Sequence, residues 1–322
     1  MHAMRVMVFG KSKRRTRKVA HIVRAFRDLG HKTLWVNPSM VRRWLGVKAD
    51  KFILLRARYF KPHIVFFMST DIPMSVLADM KRISPEVKIF QFYVDAWRLD
   101  DIPRVAKWGA LADYFLVTAK GLNTQYRSAG ICNPVFFTDA CDKYDHKVRV
   151  PMLSMWKSDL AFVGAARSGE ARVSLVQRLS KVCGVRVYGR DWHKFGIRAT
   201  LGEVGPRGFA LICSGAKIVL GADATSKIEG HWSNRLWLTL GCGGFLLTNY
   251  VPGMEEIFRN REHLVWYRDE DECEELVREY LAKPEERRRI AEAGYRYVHE
   301  HHTFHHFVDR VMGLYNQDRP QT

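Results

Sequence analysis

Apolar residues recur along the first 120 positions in two alternating rhythms. Residues 5–9 (RVMVF) form a short apolar run that ends at Gly10. Over 18–29 the apolar positions Val19, Ile22, Val23, Phe26 and Leu29 fall at helical spacing, and Gly30 stops them. Residues 33–36 (TLWV), closed by Asn37-Pro38, predict a second strand, and residues 63–68 (HIVFFM) a third after a basic helical region. A helix near 73–82 and strands at 87–94 and 114–118 complete this half. Strand, helix, strand, repeated, is the pattern of a parallel sheet covered by helices on both faces.

Residues 141–158 (CDKYDHKVRVPMLSMWKS) are polar, lack a period and contain a proline, so a linker is expected there. A second alternation follows, with strands at 160–163, 185–188, 216–220, 245–248 and 264–267. A helix is expected at 169–182, and Glu- and Arg-rich helices over 270–302. The expectation is two α/β domains with doubly wound parallel sheets, 1–150 and 151–322, with a terminal helix able to pack back on the first. Sheets of this kind receive ligands at the carboxyl ends of their strands. That singles out Gly10, residues 69–71, Asp95 and Asp139.

One stretch departs from the pattern. In SNRLWLTLGCGGFLLTN (233–249) an Asn-Arg pair heads an apolar helix, and Gly241, Gly243 and Gly244 precede the next strand. An arginine at a helix start suits an anionic ligand, and glycines let backbone come close. The same glycines also suit a tightly packed helix–strand corner.

Composition narrows the class. A chain of 322 residues fits two domains, and 47% hydrophobic residues exclude a disordered chain. No apolar run reaches the roughly 18–20 residues needed to span a bilayer. The N-terminal MHAMRVMVFGKSKRR has its charges after its apolar piece, the reverse of a secretory signal. Cys132, Cys141, Cys183, Cys213, Cys242 and Cys273 contain no CxxC pair and read as reduced thiols, so a cytoplasmic location is expected.

Charge changes the picture more. The net charge is +18; residues 1–150 carry 28 basic against 12 acidic side chains, a balance of +16. Residues 1–61 alone hold 17 basic and 2 acidic side chains. Such asymmetry marks a polyanionic partner, nucleic acid first and an anionic membrane surface second. The segment KSKRRTRK, with Lys11, Lys13, Arg14, Arg15 and Arg17, is the expected phosphate-binding stretch.

Several familiar motifs fail. GKS at 10–12 lacks the earlier glycine of a phosphate loop, since position 5 is Arg5. No GxGxxG follows the first strand, so a nicotinamide or flavin cofactor has no support. VHEHHTFHH (298–306) has Thr303 where HExxH requires histidine, and its histidines read as a helix end and not a metal site.

From Asp159 onward the chain resembles the CgeB-like (spore-protein type) glycosyltransferases of the GT-B fold, two Rossmann-like domains facing a cleft. The resembling residues are DLAFVGAAR (159–167), VRVYGRDW (185–192), HWSNRLWLTLGCGGFLLTNYVPGMEEIF (231–258), HLVWYRDEDE (263–272) and YLAKPEERRRIAEAGYRYVHEHHTF (280–304). YVDAWR (93–98) and ADYFLVTAKGL (112–122) match less distinctly. The resemblance implies a hexosyl- or pentosyl-transferase whose C-terminal domain holds a nucleotide-sugar donor, a UDP-sugar, with no metal required. It places Arg235 at the diphosphate, with Gly243-Gly244 letting backbone approach it, and Ser233 and Asn234 among the donor-binding residues. Gly164 and Arg167 fall on the facing loop, and Tyr188, Gly189 and Trp192 border the nucleotide. Many relatives have a glutamate three residues after the arginine to hold the ribose; here that residue is Leu238.

In this fold the N-terminal domain faces the acceptor, and here that domain is basic. The favoured acceptor is a 5-hydroxymethylated pyrimidine in DNA, as in phage base-modifying enzymes, with flipping of the base from a duplex. A surface polysaccharide or protein acceptor is the alternative, and a non-catalytic nucleic-acid-binding protein on a transferase fold is the third reading. Transfer to a hydroxyl calls for a general base on the acceptor side. Asp95, at the end of its strand, fits that role best, followed by Asp71 and then Asp139.

Overall fold

The structure is a computed structural model that describes residues 3–11, 18–68, 70, 72–95, 99–166, 170–223 and 225–317. The chain begins with β1 (Arg5–Phe9), α1 (Lys18–Asp28), β2 (Lys32–Val36), α2 (Pro38–Leu45) and α3 (Ala49–Phe60). It continues through β3 (Ile64–Phe67), α4 (Met74–Ile83), β4 (Lys88–Tyr93), α5 (Ile102–Gly109), β5 (Tyr114–Val117), α6 (Asn123–Ser128) and β6 (Pro134–Phe136). A second series follows: β7 (Ser158–Val163), α7 (Glu170–Leu179), β8 (Val185–Tyr188), α8 (Pro206–Gly215), β9 (Ala216–Gly221), α9 (Asn234–Gly241), β10 (Leu246–Asn249) and β11 (Val265–Tyr267). Three helices close the described chain: α10 (Glu270–Ala282), α11 (Pro284–His301) and α12 (Phe304–Gln317).

These elements form two units. The first comprises Met1–Asp139 and Phe304–Thr322, the second Ala140–Thr303. The chain thus parts eleven residues before the expected boundary at 150, and its last helix belongs to the first unit. The polar stretch 141–158 holds an isolated parallel bridge from Cys141 to Thr303 and a short 3₁₀ turn at Ser154–Trp156 before β7 begins.

The first unit holds a six-stranded sheet in the order β2-β1-β3-β4-β5-β6, with every neighbouring pair parallel. Strand interiors such as Ile64–Phe67 are buried throughout, as a sheet covered on both faces requires. Helix α12 supplies part of that cover. Its Phe307 ring lies 4.8 Å from Phe92, 5.2 Å from Phe137 and 6.1 Å from Phe66. The Tyr114 hydroxyl donates to the Leu314 carbonyl at 3.1 Å and fixes the end of the helix. Strand β6, absent from the sequence expectation, has three residues and starts on Pro134, which an edge strand tolerates.

The second unit holds a five-stranded sheet in the order β11-β10-β9-β7-β8, again all parallel. The order of both sheets reverses once, between β1 and β3 in the first and between β7 and β9 in the second. At such a reversal the chain leaves neighbouring strands toward opposite faces, and a crevice opens at their carboxyl ends. Among the described residues, no helix is long and apolar enough to cross a membrane.

Candidate functional site

The crevice between β7 and β9 is closed by two arginines. Arg235, on the first turn of α9, donates from Nη1 to the Val163 carbonyl at 2.9 Å and from Nη2 to the Ala222 carbonyl at 3.2 Å. Its Nε donates to the Ser233 hydroxyl at 3.1 Å, and the same hydroxyl caps α9 by accepting the Arg235 N–H. Arg172, from the start of α7, donates to the Ala165 carbonyl at 3.0 Å and to that same Ala222 carbonyl at 2.6 Å. Both guanidinium groups sit over the Phe162 ring, 5.2 and 5.3 Å from its centroid.

The charge here does not balance. Asp223, just past β9, is the carboxylate partner, with Oδ1 3.6 Å from Arg235 Nη2. It is held in place by accepting the Ser233 N–H at 3.0 Å, while its own N–H donates to Asn249 Oδ1 at 2.7 Å. Among the described residues, the buried Arg172 and the largely buried Arg235 therefore face one carboxylate. Burial, and then the nearby Arg235 charge, pull the Arg172 guanidinium down to about 10; burial lowers Arg235 as well, against the attraction of Asp223. Both remain protonated at neutral pH, and the excess positive charge at a helix N-terminus is a place for an anion. Arg172, Asp223 and Asn249 escape the sequence reading. Asp223 and Asn249 follow the strand-end rule applied to the first half, but nothing in the period of α7 marks Arg172.

The other donor-side residues divide into two groups. Gly164 and Gly189 bring two strand-end loops into contact: the Gly164 N–H donates to the Tyr188 carbonyl at 2.8 Å. A Cβ on Gly189 would overlap the Gly164 carbonyl, and one on Gly164 would overlap Arg235 Nη1. Tyr188 and Trp192 are fully buried. The Tyr188 hydroxyl donates to Met155 O at 2.5 Å and Trp192 Nε1 to Gly164 O at 2.8 Å, so their side chains build the loop from behind. Asn234 is exposed at the start of α9. Arg167 lies outside the described residues.

Gly243 and Gly244 require a correction. They follow the carboxyl end of α9, whereas Arg235 is at its amino end, and their N–H groups are taken by the Leu240 and Thr239 carbonyls at 2.9 and 3.0 Å. Gly243 has φ +71°, and a Cβ on Gly244 would crowd Thr239, Cys213 and Val219. They end a helix and pack a corner; they do not approach the arginines. Leu238 packs beside Cys213 and Val219.

In the first unit, Asp95 is exposed two residues past β4. Asp139 is buried and bonded to the Lys18 ammonium, which makes it a structural ion pair. Lys11 is exposed just past β1 and Gly10, beside the reversal between β1 and β3. Asp71, Lys13, Arg14, Arg15 and Arg17 lie outside the described residues. The histidine run is split, with α11 ending at His301 and α12 beginning at Phe304. His302 packs on Trp237 at 5.0 Å, and His305 bonds Asp28 at 2.9 Å.

Residues 169–313 match the family model described as Glycosyl transferase-like. No curated protein sequence matches the chain. Among solved structures, it is similar to sucrose-phosphate synthase (tll1590) from Thermosynechococcus elongatus, with a TM-score of 0.68 at 10% identity over 98% of each chain. It is similar to Anabaena Alr3699/HepE in complex with UDP and glucose, with a TM-score of 0.67 at 10% identity, covering 97% of this chain and 100% of that one. A glycosyltransferase from Rickettsia africae ESF-5 gives 0.64 at 10% identity, over 98% of this chain and 99% of that one. At these identities the likeness is one of fold: the two parallel-sheet units have the GT-B architecture, and Arg172 and Arg235 both fall inside the glycosyltransferase-like match.

Proposed function

We propose that the chain transfers a hexosyl or pentosyl group from a nucleotide-diphosphate sugar, a UDP-sugar in particular, to an acceptor hydroxyl. The observation that carries this reading is the pair Arg172 and Arg235 beside the carboxylate Asp223, at the strand reversal of the second sheet. Breaking the bond between the sugar's anomeric carbon and the diphosphate leaves charge on the departing oxygens. Two fixed guanidinium groups and the amino end of α9 stabilise that charge as it develops. Ser233 and Asn234 lie at the same helix start. The acceptor oxygen attacks the anomeric carbon, and Asp95 takes its proton.

The first unit's positive charge bears on the acceptor. A 5-hydroxymethylated pyrimidine in DNA fits it, as does a hydroxyl on a surface glycan or protein presented beside anionic groups. The test is incubation with a panel of UDP-sugars, following UDP release, with mass spectrometry of nucleosides from hydroxymethylated DNA and of glycan acceptors. UDP release that Arg235→Gln suppresses is expected. DNA binding without any UDP-sugar binding would leave a non-catalytic nucleic-acid-binding protein and overturn the proposal.

A further inference from the structure

Helices α2 and α3 of the first unit expose a second apolar surface, away from the sheet. In α3 the core-facing residues are Ala49, Ile53 and Ala57, one helical stripe. Phe52, Leu55 and Tyr59 form another stripe, at i, i+3 and i+7, and all three are exposed. In α2, Met40 and Trp44 stand one turn apart and are exposed, and Val47 follows in the turn to α3. Trp44 is 80%, Val47 98% and Tyr59 82% exposed. With Leu45, these positions hold seven of the seventeen large hydrophobic side chains exposed among the described residues, within twenty residues of chain. A solvated helix does not concentrate apolar groups in this way.

Basic residues border the stripe. Arg42, Arg43, Lys48, Lys51, Arg56 and Arg58 are exposed around it, against the one acidic residue Asp50. At the carboxyl end of α3, a cavity of about 510 Å³ is lined by Arg5, Arg58, Lys61, His63 and Lys88, with Glu86 as its acidic member. Arg5 presents its N–H to His63 Nδ1 at 3.1 Å and its guanidinium to Nε2 at 2.8 Å.

We infer that α2 and α3 dock the protein on an anionic phospholipid surface, with Trp44, Val47, Phe52 and Tyr59 entering the headgroup layer and Arg58 and its cavity neighbours taking a lipid phosphate. Charge complementarity selects this occupant. A second copy of the chain would bring six like charges against six. Nucleic acid would use the arginines and aromatic rings, but exposed Met40, Leu45, Val47 and Leu55 give bases nothing to stack on. Apolar side chains interleaved with Lys and Arg on a surface helix match a lipid interface on both counts.

The experiment is flotation of the full chain with vesicles of equal parts phosphatidylglycerol and phosphatidylcholine, with pure phosphatidylcholine vesicles and a DNA duplex as comparisons. Binding to the anionic vesicles is expected, with part of it surviving high salt. Trp44→Ser with Val47→Ser should reduce it about tenfold or more with melting unchanged, since both side chains are solvated in the free protein. Arg42→Gln with Arg43→Gln should weaken it roughly fivefold per charge and more so at low salt. No vesicle binding, or binding that the Trp44 and Val47 changes leave intact, would overturn the inference. So would duplex binding that those same changes abolish.

Discussion

Arg172 and Arg235 donate to a single oxygen, the carbonyl of Ala222, at 2.6 and 3.2 Å. Two cations converge on one acceptor because their helices start on either side of the reversal in the second sheet. Neither arginine is a free surface charge. Each ties a strand-end loop to β9 and each contributes to the same local excess of positive charge.

Arg235→Gln should lower turnover by roughly 10²–10³-fold, the scale of losing one fixed donor to a developing oxyanion. It should also cost stability, about 1–3 kcal/mol, because the Val163 and Ala222 carbonyls lose a partner. Arg172→Gln should weaken UDP binding, and the double variant should lose less than the two single losses combined, since the groups share an acceptor. Calorimetric UDP titration and initial rates on the three variants check this. Wild-type turnover in Arg235→Gln would remove it from the donor site.

Asp95→Asn should leave melting unchanged, because the side chain is exposed. Transfer should fall by roughly 10²–10⁴-fold while UDP affinity is preserved. Rates measured with saturating donor separate the two effects, and transfer at wild-type speed would shift the role to Asp71.

Gly189→Ala should destabilise the second unit by about 1–3 kcal/mol. Its φ of +144° disfavours a side chain, and the added carbon would overlap the Gly164 carbonyl. Urea denaturation gives the difference. An unchanged midpoint would mean that the two loops can part without cost.

His31 should make stability depend on acidity. Burial holds it below its ordinary value of 6.5, and its Nδ1 accepts the Met4 N–H at 3.2 Å, which suits the neutral ring. The unfolded chain therefore binds a proton more readily than the folded one below about pH 6.5. Stability is complete above that value and falls as the pH drops below it. The melting temperature should decline over this window, and His31→Gln should make the decline shallower. Parallel declines in the two proteins would rule out a neutral His31.

The sheets were legible because a strand covered on both faces must be apolar, so Ile64–Phe67 and Leu246–Asn249 stand out from polar surroundings. Strand β6 was not, since three residues at an edge carry too little pattern. Arg235 could be read from its place at a helix start, but Arg172 could not, because only folding brings α7 beside α9. Gly243-Gly244 misled for a geometric reason. They stand close to Arg235 in sequence, yet an eight-residue helix of roughly 12 Å separates the two ends. On α3 the outward apolar stripe was hidden inside a stretch that composition marks only as basic.

The first unit is made of two pieces of chain, and the second of one. During synthesis the residues of Ala140–Thr303 all emerge before α12 does. The unit encoded later can therefore finish folding first. Until α12 arrives, the site for Phe307 against Phe66, Phe92 and Phe137 stays uncovered, leaving an aromatic surface that a nascent-chain chaperone would have reason to shield.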